Sequence, residues 1–209
     1  MGDPPPSTLD GLLERAWTEV CRGVESARHG FHQPSFVSNG LTGSPSVRIV
    51  VLRDADPDER TLLFHTDARS PKLAELRADP QCAWLLYDKE LKLQVRINAR
   101  AEVIQQGPIH ARQWERSRAS SRRCYLAPHA PSAALPDGPD PNLPDEVRNR
   151  VPDLSETEPG LAQFAVVRST VHALDVLHLR HDGHERARYT WAADSAERVC
   201  APAATWLAP

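Results

Sequence analysis

The sequence predicts a mainly β protein with flanking helices, built on a largely antiparallel sheet closed as a barrel or sandwich. Three observations predict it. About seven segments show the two-residue alternation or the β-branched enrichment of strands. Most follow one another through short polar turns, the spacing of hairpins rather than of crossover units. The chain also carries no GxGxxG, no GxxxxGK[ST] and no regular strand–helix alternation, which argues against Rossmann and P-loop folds.

The 209 residues are enough to enclose a core, and 1–209 reads as one domain without internal repeats. A formal net charge of −3 gives no basic field for nucleic acid. No apolar run approaches the roughly 20 residues that span a bilayer. The opening MGDPPPSTLD lacks the basic-then-apolar order of a signal peptide. Cys21, Cys82, Cys124 and Cys200 are far apart and form no CxxC, as expected of reduced thiols in a cytoplasmic protein.

Residues 1–7 are Pro-rich and expected to be disordered. Over residues 8–28, Leu9, Leu12, Leu13, Ala16, Trp17, Val20 and Val24 recur at spacings of three and four. This predicts a helix covering one side of the sheet, with Gly30 as its stop signal. Residues 35–38 lead into the turn dipeptide Asn39-Gly40, and 46–53 (SVRIVVLR) is the strongest strand signal. After a polar turn at 54–59, residues 61–66 return as its hairpin partner. Ser70 as N-cap and Pro71 at the first helical position predict a short helix over 71–78. Strands follow at 81–87 and 91–105, then a helix over 108–123 with Ile109 and Trp114 facing the protein. Residues 128–159 read as a long Pro-rich loop with a short helix near Glu146. A long strand at 161–179, a turn at Asp182-Gly183 and a return strand at 185–191 precede the closing segment 199–207.

Several places invite chemistry. Arg69 and Lys72 flank a helix start that already carries partial positive charge, where acidic residues are normally favoured. Either both side chains bend into water, or an anion is held there by backbone N–H groups, Ser70 and the two cations. On 91–100, Leu93, Val95, Ile97 and Ala99 share one face. Gln94, Arg96, Asn98 and Arg100 share the other, which meets solvent or lines a ligand site. Arg48 and Arg53 end the strand 46–53 on opposite faces, from an edge position or because a phosphate lies at one end. His181 and His184 beside the Asp182-Gly183 turn have no third ligand at suitable spacing, so a metal site is not expected.

Taken in order, Arg48-Ile49-Val50-Val51-Leu52-Arg53, Phe64-His65-Thr66, Arg69-Ser70-Pro71-Lys72 and Gln94-Val95-Arg96 resemble the pyridoxamine 5'-phosphate oxidase family. His184-Glu185-Arg186-Ala187-Arg188-Tyr189 is similar to that family's C-terminal signature, and the resemblance runs from about residue 35 to the end. It implies an FMN-binding antiparallel split β-barrel that forms a homodimer with FMN at the subunit interface. It further implies an FMN-dependent oxidoreductase taking hydride from a small substrate, with reoxidation by dioxygen. In this family the substrate is a phosphorylated B6 vitamer. The alternatives are a reductase of another small molecule and a non-catalytic flavin-binding protein.

Position by position, the resemblance implies that Arg48, Lys72, Ser70 and Arg69 hold the FMN phosphate. Ile49, Val50 and Val51 would lie along the flavin, with His65 and Thr66 near the ribityl chain or ring. Gln94 and Arg186 would reach the flavin across the dimer, while Arg53, Arg122 and His184 would orient substrate. The chain departs from the family in Pro71 and Arg53, and in lacking a clean match for the Tyr, Arg and Ser that grip substrate phosphate. Trp114, Arg118 and Arg122 stand in that region instead.

Overall fold

The computed structural model describes residues 8–136, 138–192 and 201–209. The expectation for residues 1–7, and the Val199-Cys200 start of the closing segment, lie outside them. Helix α1 spans Leu9–Glu25; the Thr8 hydroxyl accepts the Gly11 N–H at 3.0 Å, and Leu12, Ala16, Trp17 and Val20 are buried. It stops at Ser26, before the predicted Gly30. Gly30 instead opens a 3-10 turn, Gly30–His32, where a Cβ would lie within 2.7 Å of the Asp88 carboxylate that accepts its N–H. The helix therefore ends early, and the glycine is set by close approach to β5.

The strands are β1 (Ser35–Asn39), β2 (Pro45–Ile49), β3 (Leu52–Asp56), β4 (Thr61–Asp67), β5 (Gln81–Asp88), β6 (Leu93–Ile104), β7 (Phe164–His178), β8 (Glu185–Thr190) and β9 (Ala203–Leu207). The helices after α1 are α2 (Pro71–Ala78), α3 (Pro108–Arg116), α4 (Ala119–Arg122), α5 (Asp145–Arg148) and α6 (Leu154–Thr157). Every pairing is antiparallel, in the order β2-β1-β5-β6-β7-β4-β3, with β8 beside β7 and β9 beside β8.

That order requires closure. β2 and β3 stand at opposite ends of a seven-strand path, yet only Val50 and Val51 separate them. Six inter-strand steps laid flat would cover about 29 Å, whereas the three Cα–Cα links from Ile49 to Leu52 reach at most about 11 Å. The sheet must curl until its ends meet. Strand β7 makes this possible by lying beside β6 along one edge and sharing its other edge between β4 and β8. Inside, Phe36, Phe64 and Trp84 meet at centroid distances of 4.8–5.6 Å among Leu52, Leu86, Leu93, Val95, Ile97 and Val176. A second apolar cluster joins Leu63, Trp114, Tyr125, Phe164 and Val166.

Three elements differ from the sequence reading. The predicted strand 46–53 is two strands, because the Val50 N–H turns to the Pro34 carbonyl at 3.0 Å and the chain passes from β1 to β4. The predicted helix 108–123 breaks at Ser117, whose hydroxyl donates to the Gln113 carbonyl at 2.7 Å and whose ψ is 132°. The long loop carries α6 as well as the expected turn near Glu146, with a capping box between Asp153 and Glu156. No helix among the described residues is long and apolar enough to cross a membrane.

Candidate functional site

The passage from β2 to β3, Ile49–Val51, lines a cavity of about 300 Å³. Phe64, His65 and Thr66 of β4 line it as well. Of the residues expected at a cofactor, Arg48, Ile49, Val50, Val51, His65, Thr66 and Lys72 line it, and so does Arg53. The remaining wall, with Ser121, Cys124 and Tyr125, comes from α4 and the 3-10 turn Arg123–Leu126.

At one end, Lys72 Nζ donates to Thr66 Oγ1 at 3.0 Å and to Ser70 Oγ at 2.7 Å. Ser70 occupies the N-cap position, but its hydroxyl serves Lys72 and accepts no helical N–H. No carboxylate of the described residues is ion-paired with Lys72; burial, reinforced by Arg48, pushes its pKa down, with Glu75 and Asp67 acting in the opposite direction. A half-buried ammonium with no ion-paired carboxylate among the described residues is costly to desolvate and suited to an anion. Arg48 faces the same end. Its guanidinium donates to Ser38 Oγ at 2.6 Å and to Glu75 Oε2 at 2.8 Å, while Ser38 also donates to that carboxylate at 2.5 Å. Glu75 thus holds Arg48 in place but neutralises part of its charge. Arg48 also donates to the Ser46 hydroxyl.

Arg69 is placed elsewhere. It forms a two-point pair with Asp67, at 3.0 and 2.7 Å, and donates to the carbonyls of Ala127 and Pro128 at 2.9 and 3.2 Å. Its fork matches a carboxylate already supplied by the last residue of β4, two positions earlier, so it does not line the cavity.

A second cavity of about 360 Å³ adjoins the first, and Arg53, His65 and Ser121 line both. Arg116, Arg118, Ser117 and Ser120 make the second lobe rich in cations and hydroxyls. At the junction, His65 Nε2 lies 3.1 Å from Gln113 Oε1, and Gln113 Nε2 donates to Asp54 Oδ2 at 2.9 Å. Burial, the largest influence, lowers the His65 pKa to about 4, with Arg53 and Arg116 acting in the same direction and the Gln113 bond and Asp54 opposing.

Arg122 does not reach either lobe. It is buried, donates to the Trp114 carbonyl at 3.1 and 2.8 Å and to Glu158 at 2.8 Å, and stacks 4.3 Å from the Trp114 ring centroid. It ties α4 to α3 and to the end of the Pro-rich segment. His184 sits exposed at the β7–β8 hairpin tip. Gln94 and Arg186 lie on the outer face of the sheet, in one cross-strand row with Tyr87 and Leu177. There Asp175 pairs with Arg186 at 3.0 and 3.1 Å.

Sequence reasoning missed Gln113, Glu75 and Tyr125. Gln113 carried a usable signal: it lies four residues from Ile109 on the inward face of α3, where a polar side chain needs a buried partner. Glu75 follows Lys72 by one helical turn, so its approach to the same cations was readable. Tyr125 comes from a turn whose position depends on tertiary packing.

A sequence model described as pyridoxamine 5'-phosphate oxidase matches residues 32–142, more than half of the chain. The chain is 36% identical over 88 residues to a pyridoxine/pyridoxamine 5'-phosphate oxidase of Granulibacter bethesdensis, covering 41% of this chain and 40% of that one. It is 31% identical over 122 residues to pyridoxine/pyridoxamine 5'-phosphate oxidase 2 of Arabidopsis thaliana, covering 54% and 62%. It therefore spans less than two thirds of the length of these relatives. The crystal structure of a pyridoxamine 5'-phosphate oxidase-related, FMN-binding protein from Nostoc punctiforme is similar with a TM-score of 0.69 at 18% identity, over 94% of this chain and 96% of that one. The architecture is the antiparallel split barrel with flanking helices that the resemblance implied, and by the match over residues 32–142 the chain belongs to the pyridoxamine 5'-phosphate oxidase family.

Proposed function

We propose that the chain binds FMN in the first lobe and acts as an FMN-dependent oxidoreductase on a small anionic substrate in the second. The observation that carries this reading is Lys72, a half-buried cation with no ion-paired carboxylate among the described residues, lining one cavity with Arg48 and the Ile49–Val51 passage. Lys72 and Arg48 would take the phosphate, with Ser70 turning its hydroxyl from lysine to ligand. The backbone of Ile49–Val51 would lie along the ring, and His65 and Thr66 beside the ribityl chain. Bound FMN supplies a hydride acceptor that dioxygen reoxidises.

Arg53, at the junction, and Arg118, in the second lobe, would hold the substrate anion; Arg122, spent on Glu158 and Trp114, would not. A phosphorylated B6 vitamer fits the family and the cationic lobe. A second reading, a reductase of another small anion, is favoured by the withdrawal of Arg122 into the core. The protein would work in the cytoplasm.

The outer sheet face supports a homodimer. Val47 and Ile49 are 67% and 61% exposed, and Leu85 and Tyr87 are 40% and 47% exposed on the same side. Ile49 also lines the first lobe, so a second copy seated on this face would cover the flavin and bring Gln94 and Arg186 to it. The test is direct. Purified protein should be yellow or turn so with added FMN, and anaerobic pyridoxamine or pyridoxine 5'-phosphate should bleach it. Protein that remains colourless with excess FMN rejects the proposal; bleaching only by a nicotinamide selects the second reading.

A further inference from the structure

Asp54, Gln113 and His65 form a relay from β3 through α3 to β4 whose chemistry fixes one proton. We infer that His65 presents a bare Nδ1 at the junction of the two lobes, as a hydrogen-bond acceptor for an O–H or N–H group of the bound ligand. This rests on the flavin-and-substrate reading of the cleft.

The logic runs from the carboxylate inward. An ionised carboxylate only accepts hydrogen bonds, so Asp54 Oδ2 at 2.9 Å requires the amide NH₂ of Gln113 on its side. That turns Gln113 Oε1 toward His65 Nε2 at 3.1 Å. A carbonyl oxygen cannot donate, so the proton of neutral His65 sits on Nε2, and Nδ1 keeps its lone pair. The relay is held against rotation. Gln113 is buried, and its helix ends where Ser117 bonds the Gln113 carbonyl. The imidazole edge packs on Phe164 with centroids 4.9 Å apart.

Nδ1 has no hydrogen-bond partner among the described residues, and it is not among the buried polar atoms left unsatisfied, so it keeps accessible surface on a ring that lines both lobes. The charged groups around the ring are Arg53, Arg116 and Asp54. Arg116 approaches Asp54 at 3.5 Å and does not displace Gln113 from it. The ring is neutral at physiological pH, since burial and the two arginines disfavour imidazolium.

An acceptor of this kind discriminates. An alcohol or amine can donate to it; the carbonyl formed when either is oxidised presents a lone pair and cannot. His65 therefore favours the reduced ligand over its oxidised product. The same chemistry is offered by a ribityl hydroxyl, and the experiment separates the two donors.

Ring ¹⁵N spectra of the labelled full chain, with His65 assigned by comparison with His65→Phe, should show protonated Nε2 and bare Nδ1 at pH 7. FMN and then pyridoxine 5'-phosphate are added anaerobically. Movement of the Nδ1 resonance at the first step assigns the donor to the flavin; movement only at the second assigns it to the substrate. In that second case His65→Phe should erase a preference of about fivefold for pyridoxine over pyridoxal 5'-phosphate. Asp54→Asn should allow Gln113 to turn over, giving a mixture of both tautomers. A protonated Nδ1, an Nδ1 unmoved by both additions although flavin absorption shows FMN bound, or a pure Nε2–H tautomer in Asp54→Asn would each overturn the inference while leaving the flavin reading intact. Colourless protein under excess FMN sinks both.

Discussion

Replacing Lys72 by Met should make the protein more stable when empty and worse at binding FMN, a pair of opposite signs that few explanations share. Lys72 is desolvated beside Arg48, no carboxylate of the described residues is ion-paired with it, and its pKa is pushed down against the opposing pull of Glu75 and Asp67. For a base with a lowered folded pKa, the folded state binds fewer protons than the unfolded chain at pH values between the two pKa values. Stability therefore rises with pH through that window, and the cost of the charge is fully present below the folded pKa. Methionine keeps the stem and removes the cost, so urea midpoints of the ligand-free protein should rise. With FMN the charge is expected to form a charge-assisted hydrogen bond to phosphate, worth about 1.5–3 kcal/mol. Its loss should weaken binding about 10- to 150-fold. Fluorescence titration of apo-protein with FMN, beside titration with riboflavin, checks the argument. The loss should appear for FMN and not for riboflavin, which lacks the phosphate. An unchanged FMN affinity, or an equal loss for both, refutes the placement of the phosphate at Lys72.

Arg122→Ala should cost about 1–3 kcal/mol of stability, because it leaves the buried Trp114 carbonyl without its donor while the half-exposed Glu158 carboxylate turns to water, as chemical denaturation would show. Arg118→Ala, in the second lobe, should leave the denaturation midpoint within about 0.5 kcal/mol of wild type and raise the substrate KM. The His65 pKa of about 4 lies below the ordinary value, so the unfolded chain takes up a proton first as pH falls. Stability from this residue is complete above about pH 6.5 and is lost on acidification toward pH 4. His65→Phe should lack that component, seen as a shallower fall of unfolding free energy between those values. Leu85→Glu places a charge on the exposed apolar face and should shift the sedimentation profile from dimer to monomer without lowering the melting temperature of the monomer.

The fold was readable wherever local signals agreed. Alternation on β6 placed Leu93, Val95, Ile97 and Ala99 inside, and the structure buries all four. Ser70-Pro71 set the start of α2, and the Asp182-Gly183 turn set the β7–β8 hairpin. What was illegible depends on partners distant in sequence. Nothing local in SVRIVVLR marks Val50 as the place where the chain leaves one strand partner for another. The arginines show the same limit within the site. Arg48, Arg69 and Arg122 are alike as residues, but Glu75 holds the first at the cavity, Asp67 turns the second away from it, and Glu158 buries the third. Only their acidic neighbours distinguish them, and two of those lie 27 and 36 residues away.

The order of strand pairing also governs how the chain is made. β4, which walls the first lobe, finds its second neighbour in β7, about a hundred residues further on: His65 pairs with Val166. A ribosome that has released the chain only as far as the Pro-rich segment therefore exposes a nascent sheet with β4 and β6 unpaired on one edge, a template for association with other chains. The barrel closes late, when β7 arrives and fills both vacancies at once. Pairings this distant in sequence predict slow folding. Variants that weaken β7 should be lost to aggregation during synthesis more readily than their effect on the finished protein would suggest.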